Sequence, residues 1–199
     1  MDKPKFVWAK SDDPQCALWE SSGYELVGES WGAHLAVAAD SLRDKYASKI
    51  EKVSLLGYEL RKLKIEDIPQ LIELEKANHA DYPFTPATGH ALSSADELES
   101  LINTDGAIFG AFSGANLVGV LATKKYQRKV EFEFASVVRA HRRKSLASAL
   151  GSFAIMEFLS QGVTTFATGG AAVNSSSKAT VESLGFTIDE LWRSYRAPQ

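Results

Sequence analysis

The chain has 199 residues, 45% of them hydrophobic and 24% charged, with a formal net charge of -3. The composition is that of a globular protein, the length suits one domain of about 150 residues plus an appendage, and the acidic total excludes a bulk nucleic-acid binder. A single cysteine, Cys16, leaves no internal disulfide and points to a reducing, cytoplasmic setting. The charged opening Met1-Asp2-Lys3-Pro4-Lys5 does not read as a signal peptide, and no apolar run approaches the roughly 20 residues that span a bilayer, so no membrane partner is expected.

Residues 1 to 31 carry Trp8, Trp19 and Trp31 around the polar turn Ser11-Asp12-Asp13-Pro14. These rings read as packing anchors. Apolar residues at Leu35, Ala38, Leu42, Tyr46 and Ile50 have helical spacing, which predicts a helix over 33–52. Residues 1–52 form an N-terminal appendage in this reading, and 53–199 the main domain. Val53 to Lys64 reads as a strand, and Glu66-Asp67-Ile68-Pro69 starts a helix that fades at Ala77-Asn78-His79.

The loop from Asp81 to His90 holds two prolines and should be irregular, with Tyr82, Phe84, Thr85 and His90 as substrate-side or plain surface residues. Ser94-Ala95-Asp96-Glu97 is a capping box for a helix ending near Ile102. Ala107–Phe112 and Asn116–Lys124 form a hairpin around Ser113-Gly114-Ala115. The alternating run from Lys129 to Val138 predicts a strand, with Phe132 and Phe134 inward and Glu131 and Glu133 together on the opposite face. Residues 146–159 read as an apolar helix, 163–168 as a strand, 174–184 as a helix stopped by Gly185, and 186–195 as a closing strand.

Between the strand ending at Val138 and the helix starting at Leu146 lies Arg139-Ala140-His141-Arg142-Arg143-Lys144-Ser145. The first N–H groups of a helix lack intrahelical partners, and the helix dipole adds partial positive charge. A basic turn at that point is either a solvated helix start or a phosphate socket. Asn174 is placed to cap the later helix. His34, His79, His90 and His141 show no metal-ligand spacing, so no metal is expected.

From about residue 56 onward the element order, together with Arg142-Arg143-Lys144-Ser145-Leu146-Ala147 and Asn174…Leu184-Gly185-Phe186, resembles the GNAT family of acyl-CoA-dependent N-acyltransferases. That family's cofactor motif is Arg/Gln-x-x-Gly-x-Gly/Ala; Arg142 and Ala147 match it, and Ser145 replaces the middle glycine. The resemblance implies an α+β fold, an α/β/α sandwich whose mixed central sheet contains a splayed strand pair. It implies acetyl-CoA as cosubstrate, with the pyrophosphate on Arg142, Arg143, Lys144, Ser145, Leu146 and Ala147. The pantetheine arm would run along Ser136, Val137 and Val138, with Asn174 and Ser177 beside it.

The acceptor implied is a small-molecule amine or a protein N-terminus or lysine, acetylated by direct attack in a ternary complex. Glu131 and Glu133 are candidates for the base, or simply a solvent-facing pair. The family's frequent acid tyrosine is missing, since Val181 stands there; Ser176, Ser177 and Tyr195 are the hydroxyls that could replace it. A non-catalytic acyl-CoA-binding module is the alternative. A nucleic-acid site on Arg139 to Lys144 is disfavoured by the acidic total charge and by the lack of interleaved aromatics.

Asp12 to Tyr24 also echoes Asn174 to Phe186, and Glu29-Ser30-Trp31 parallels Glu190-Leu191-Trp192 after a one-residue gap. This similarity reflects either a truncated second unit or chance. A strand pair of that kind needs a sheet to complete, in the same chain or in a homodimer.

Overall fold

The structure is a computed structural model that describes residues 5–38, 42–81, 92–104 and 106–198. The chain opens with β1 (Phe6–Lys10), α1 (Pro14–Ser21), β2 (Glu25–Ala36), α2 (Arg43–Leu55) and β3 (Tyr58–Lys62). Next come α3 (Ile68–Asn78), α4 (Ala95–Asn103), β4 (Gly106–Ser113), β5 (Asn116–Tyr126) and β6 (Lys129–Val137). It closes with α5 (Leu146–Ser160), β7 (Thr165–Ala171), α6 (Ser175–Leu184) and β8 (Thr187–Arg196). The strands form one sheet in the order β1-β8-β2-β7-β6-β5-β4-β3, antiparallel throughout except for the parallel β6–β7 pair.

Apolar clusters form on both faces of the sheet. Tyr46 and Val53 of α2, Leu150 and Ile155 of α5, and Val181 and Leu184 of α6 pack with Phe109, Phe132 and Phe166. Leu71 and Leu74 of α3 and Leu98 of α4 pack with Ile108, Val120 and Ala122. Ser94 and Glu97 exchange hydrogen bonds as a capping box at the start of α4. Gly151 brings α5 close to α6, since a Cβ there would sit 2.5 Å from Leu184 Cδ1. The Tyr46 hydroxyl donates to the Leu184 carbonyl at 2.9 Å in the same interior, and burial pushes its pKa up to about 12.

Two expected elements are corrected. The helix predicted over 33–52 begins only at Arg43, because Ala33–Ala36 continue β2. Trp31, Ala33, Leu35 and Val37 are all buried, which is the period of a strand with one covered face. The strand predicted from Val53 begins at Tyr58, since Val53 to Leu55 are the last turn of α2.

β2 lies between β7 and β8, and β8 lies between β2 and β1. The β2–β8 ladder is symmetric about the pair Ser30–Trp192. Gly28–Ser194 mirrors Gly32–Glu190, and Leu26–Tyr195 mirrors Ala33–Ile188. Even the irregularities match, with Val27 the extra residue in β2 and Asp189 the extra residue in β8. The helices before these strands agree as well: Asp13 and Asn174 each cap with a side-chain oxygen, and Gly23 and Gly185 each take positive φ, +80° and +100°. In this register Ser30, rather than Trp31, is the counterpart of Trp192.

Because β2 fills the space between two other strands, deletion of residues 1–31 should leave β7 and β8 with unpaired edges. The expected outcome is loss of soluble protein on expression at a temperature where the intact chain stays in solution. A truncated protein with the intact chain's melting temperature and elution volume would contradict it.

Candidate functional site

The parallel β6–β7 ladder runs only from Lys129–Thr165 to Phe132–Thr168. At the next residue β6 carries an irregularity on its other side, where Glu133 is extra against the step from Ala122 to Thr123 of β5. This reverses the pleat. Phe132 faces the α2/α5/α6 cluster, whereas Phe134 packs with the α3/α4 cluster, so the two are not on one inward face as their spacing predicts. Beyond Phe132, β6 and β7 separate, and a cleft of about 690 Å³ opens between β6, the basic turn and α6.

Arg139–His141 form a single 3-10 turn after Val138. Arg143 and Ser145 then take positive φ, +60° and +66°, and α5 begins. The left-handed Ser145 stands where the family motif has glycine, and its serine Cβ costs about 1 kcal/mol there. The first helical bond of α5 runs from Ala149 N–H to Ser145 C=O. Among the described residues, the N–H groups of Leu146, Ala147 and Ser148 have no acceptor, and all three residues line the cleft. Facing them, Asn174 caps α6 by accepting from Ser177 N–H at 3.1 Å. Ser176, Ser177, Thr180 and Ser183 continue the cleft wall along α6.

Arg142 folds back over its own strand. Its Nε donates to Val137 C=O at 2.8 Å, and its guanidinium pairs with Asp81 at 2.5 Å. Arg139 pairs with the other Asp81 oxygen at 2.7 Å. Hydrogen bonds from Arg142 and then Arg139 hold the Asp81 carboxyl below the usual carboxylate range. A carboxylate thus sits on two guanidinium groups at the edge of the cleft.

The structure brings together Ser136, Val137, Arg142, Arg143, Ser145, Leu146, Ala147, Asn174 and Ser177 around this one cleft. Lys144 is not among them: its Nζ donates at 3.1 Å to the Tyr58 hydroxyl, which also bonds the His141 Nδ1 at 2.9 Å. Val138 packs against the α3/α4 cluster, and its N–H continues the ladder to Val118.

Tyr195 is also set apart. It is fully buried three strands away from β6, beside Cys16 and Ala9, and its hydroxyl donates to Glu20 at 2.7 Å. Its place is in the packing of the N-terminal segment. Glu131 pairs with Lys129, and neither Glu131 nor Glu133 lines the cleft, although Glu133 is two residues from Ala135, which does. Glu133 is exposed, and partial desolvation, then repulsion from Glu131, raise its pKa, while Lys124 opposes them.

Asn78, Asp81 and His141 line the cleft as well. Asn78 had a signal in the sequence, since it continues the buried Leu71–Leu74 stripe of α3 as a polar residue at a core position. Asp81 had none beyond being the acid that opens the loop from Asp81 to His90. Residues 82–91, with Tyr82, Phe84, Thr85 and His90, lie outside the described residues. Among the described residues no cluster of three or more His, Cys, Asp or Glu side chains could hold a metal, and no helix is long and apolar enough to cross a membrane.

A mixed sheet that splays beside a left-handed turn and a helix N-terminus defines an α/β protein of the acyl-CoA N-acyltransferase type. The acetyltransferase (GNAT) family profile matches residues 70–186, and the chain belongs to that family. No curated protein matches the sequence.

Among solved structures, a GCN5-related N-acetyltransferase from Sphaerobacter thermophilus is similar, with a TM-score of 0.71 and 13% identity over 96% of this chain. This chain spans 58% of that protein's length. The ribosomal-protein-S18-alanine N-acetyltransferase of Escherichia coli has a TM-score of 0.56 and 20% identity, over 71% of this chain and 93% of its own. The PaiA N-acetyltransferase of Thermoplasma acidophilum, in complex with coenzyme A, has a TM-score of 0.57 and 20% identity, over 70% of this chain and 98% of its own. At these identities the likeness is one of fold.

If Ser145 is strained as its φ indicates, Ser145→Gly should raise stability by about 1 kcal/mol, or roughly 2–4 °C in melting temperature for a chain of this size. An unchanged or lowered melting temperature would show that the serine carries a compensating interaction.

Proposed function

We propose that this protein is an N-acetyltransferase that binds acetyl-CoA in the β6–α5–α6 cleft and passes the acetyl group to a primary amine. The observation that carries the reading is the set of unpaired N–H groups on Leu146, Ala147 and Ser148, opening into a cleft beside a strand edge that β7 has left. A pyrophosphate fits the first feature, because three converging N–H groups and a helix N-terminus favour an anion. The pantetheine arm fits the second, because Ser136 and Val137 of β6 line the cleft where β7 no longer runs beside them. Arg142 and Arg143 add charge at the phosphate end.

The amine would attack the thioester directly, with no covalent enzyme intermediate. Proximity and orientation supply much of the rate. Of the two carboxylates Glu133 is the nearer in the chain to the cleft-lining Ala135, and it is the candidate to take a proton from the ammonium, through water, before the freed amine attacks. The acceptor is an amine on a small molecule or on a protein; the S18-alanine N-acetyltransferase neighbour acts, by its name, on a protein. A reducing, cytoplasmic setting suits the lone buried Cys16. In this reading residues 53–199 form the catalytic unit and residues 1–52 an appendage, whose first 31 residues derive from a second unit, as the symmetric β2–β8 register supports.

Calorimetric titration with acetyl-CoA tests the site through two substitutions of opposite sign. Arg142→Ala should weaken binding by roughly tenfold, the loss of one charge-assisted phosphate contact. Asp81→Asn should tighten it by about threefold to tenfold, because the ligand no longer competes with a carboxylate for two guanidinium groups. The same sign for both, or no binding by the unmodified protein, would overturn the assignment. Tight binding with no CoA release across a broad amine panel would turn the reading to a binding module.

The base assignment predicts a pH effect. A raised carboxylate pKa means that the basic form of Glu133 is lost earlier as pH falls, so kcat/KM should decline at a pH above the group's ordinary value of 4.5. Glu131→Gln removes the repulsion and should move that acid limb to lower pH. An unmoved limb would exclude Glu133 as the titrating base.

A further inference from the structure

The cleft contains a polar pair that the acyl-CoA reading leaves without a task. Ser136 on β6 and Asn78 at the end of α3 are 7% and 4% exposed, and both line the cleft. Asn78 Nδ2 donates to Ser136 Oγ at 2.8 Å. A serine hydroxyl has one proton and two acceptor lone pairs. The Asn78 bond uses a lone pair and leaves the proton unspent, and among the described residues that proton has no acceptor. The pair is therefore an oriented donor at the mouth of the acyl end, upstream of the basic turn. The hydroxyl sought on α6 is missing, because Val181 at that place is buried in the core.

We infer that Ser136 donates a hydrogen bond to the thioester carbonyl oxygen of the bound acyl donor, and that Asn78 is the positioning residue that aims it. The inference rests on the acyl-CoA reading of this cleft. In the transfer, the amine lone pair forms the C–N bond and the carbonyl π pair moves to oxygen, where the Ser136 hydrogen bond stabilises it. On collapse the C–S bond breaks and its pair leaves on sulfur as the CoA thiolate. Glu133 takes one proton from the ammonium through water before the attack. The second N–H proton of the tetrahedral intermediate passes to the departing sulfur to give CoASH, and Ser136 keeps its own proton throughout. A donor held ready before reaction needs no reorganisation when the charge appears.

The test uses acetyl-CoA labelled with carbon-13 at the carbonyl and the full-length protein, so no acceptor need be known. In the wild type the bound carbonyl resonance should move downfield of free acetyl-CoA, as a polarised carbonyl does. Ser136→Ala should return it toward the free value, with acetyl-CoA affinity within about threefold of wild type. Asn78→Asp should do the same, because a carboxylate captures the serine proton instead of directing it outward. Ser136→Thr, which keeps the hydroxyl, should retain the shift. With any amine that is turned over, kcat of Ser136→Ala should fall by about 10²-fold with KM for acetyl-CoA little changed.

A Ser136→Ala resonance equal to wild type overturns the inference and leaves the binding site intact. Asn78→Asp and Ser136→Thr provide the same reading if the alanine variant does not fold. Failure of the wild type to bind acetyl-CoA overturns the cleft assignment and this inference with it.

Discussion

The fold turns on one short ladder. β6 and β7 run parallel and pair from Lys129–Thr165 to Phe132–Thr168, and then separate. A strand that leaves its neighbour exposes backbone donors and acceptors, which is costly unless something occupies the gap. Here the gap receives the basic turn, the start of α5 and the start of α6, so two helix N-termini converge where β6 and β7 part. The extra residue at Glu133 falls at the same point and reverses the pleat, which places Ser136 toward α3 and Val137 toward the α5 cluster.

The far side of β7 is closed by β2, and β8 is closed between β2 and β1. Without β2, β7 would carry two open edges where it now carries part of one. The N-terminal segment is thus tied by hydrogen bonding to the strand that frames the cleft. Trp31 shows how tightly: it is 2% exposed, and its indole N–H donates to Ala171 C=O at the end of β7.

Much of this arrangement was legible in the sequence. The capping box at Ser94, the hairpin around Gly114, the stop at Gly185 and the order of elements from α3 to β8 follow from local chemistry acting over a few residues. The basic turn at the start of α5 was legible for the same reason, since Arg142 to Ala147 are contiguous. What was not legible depends on distant pairing. Leu35 and Ala38 fit a helical period as well as Trp31, Ala33, Leu35 and Val37 fit a strand, and only burial between β7 and β8 decides between them. The bond from Lys144 Nζ to the Tyr58 hydroxyl joins the basic turn to a strand far earlier in the chain. The bond from the Tyr195 hydroxyl to Glu20 likewise ties β8 to α1. The reversal at Glu133 has no sequence sign, because it arises from the register between β5 and β6.

The most direct measurement of the central claim is a backbone amide NMR titration of the intact protein with coenzyme A. The account predicts that the largest shifts fall on the N–H groups of Leu146, Ala147 and Ser148, with a second group on β6 from Ala135 to Val137. Shifts confined to the surface around Trp8 and Trp192 at the other end of the sheet, or no shifts at saturating coenzyme A, would contradict it.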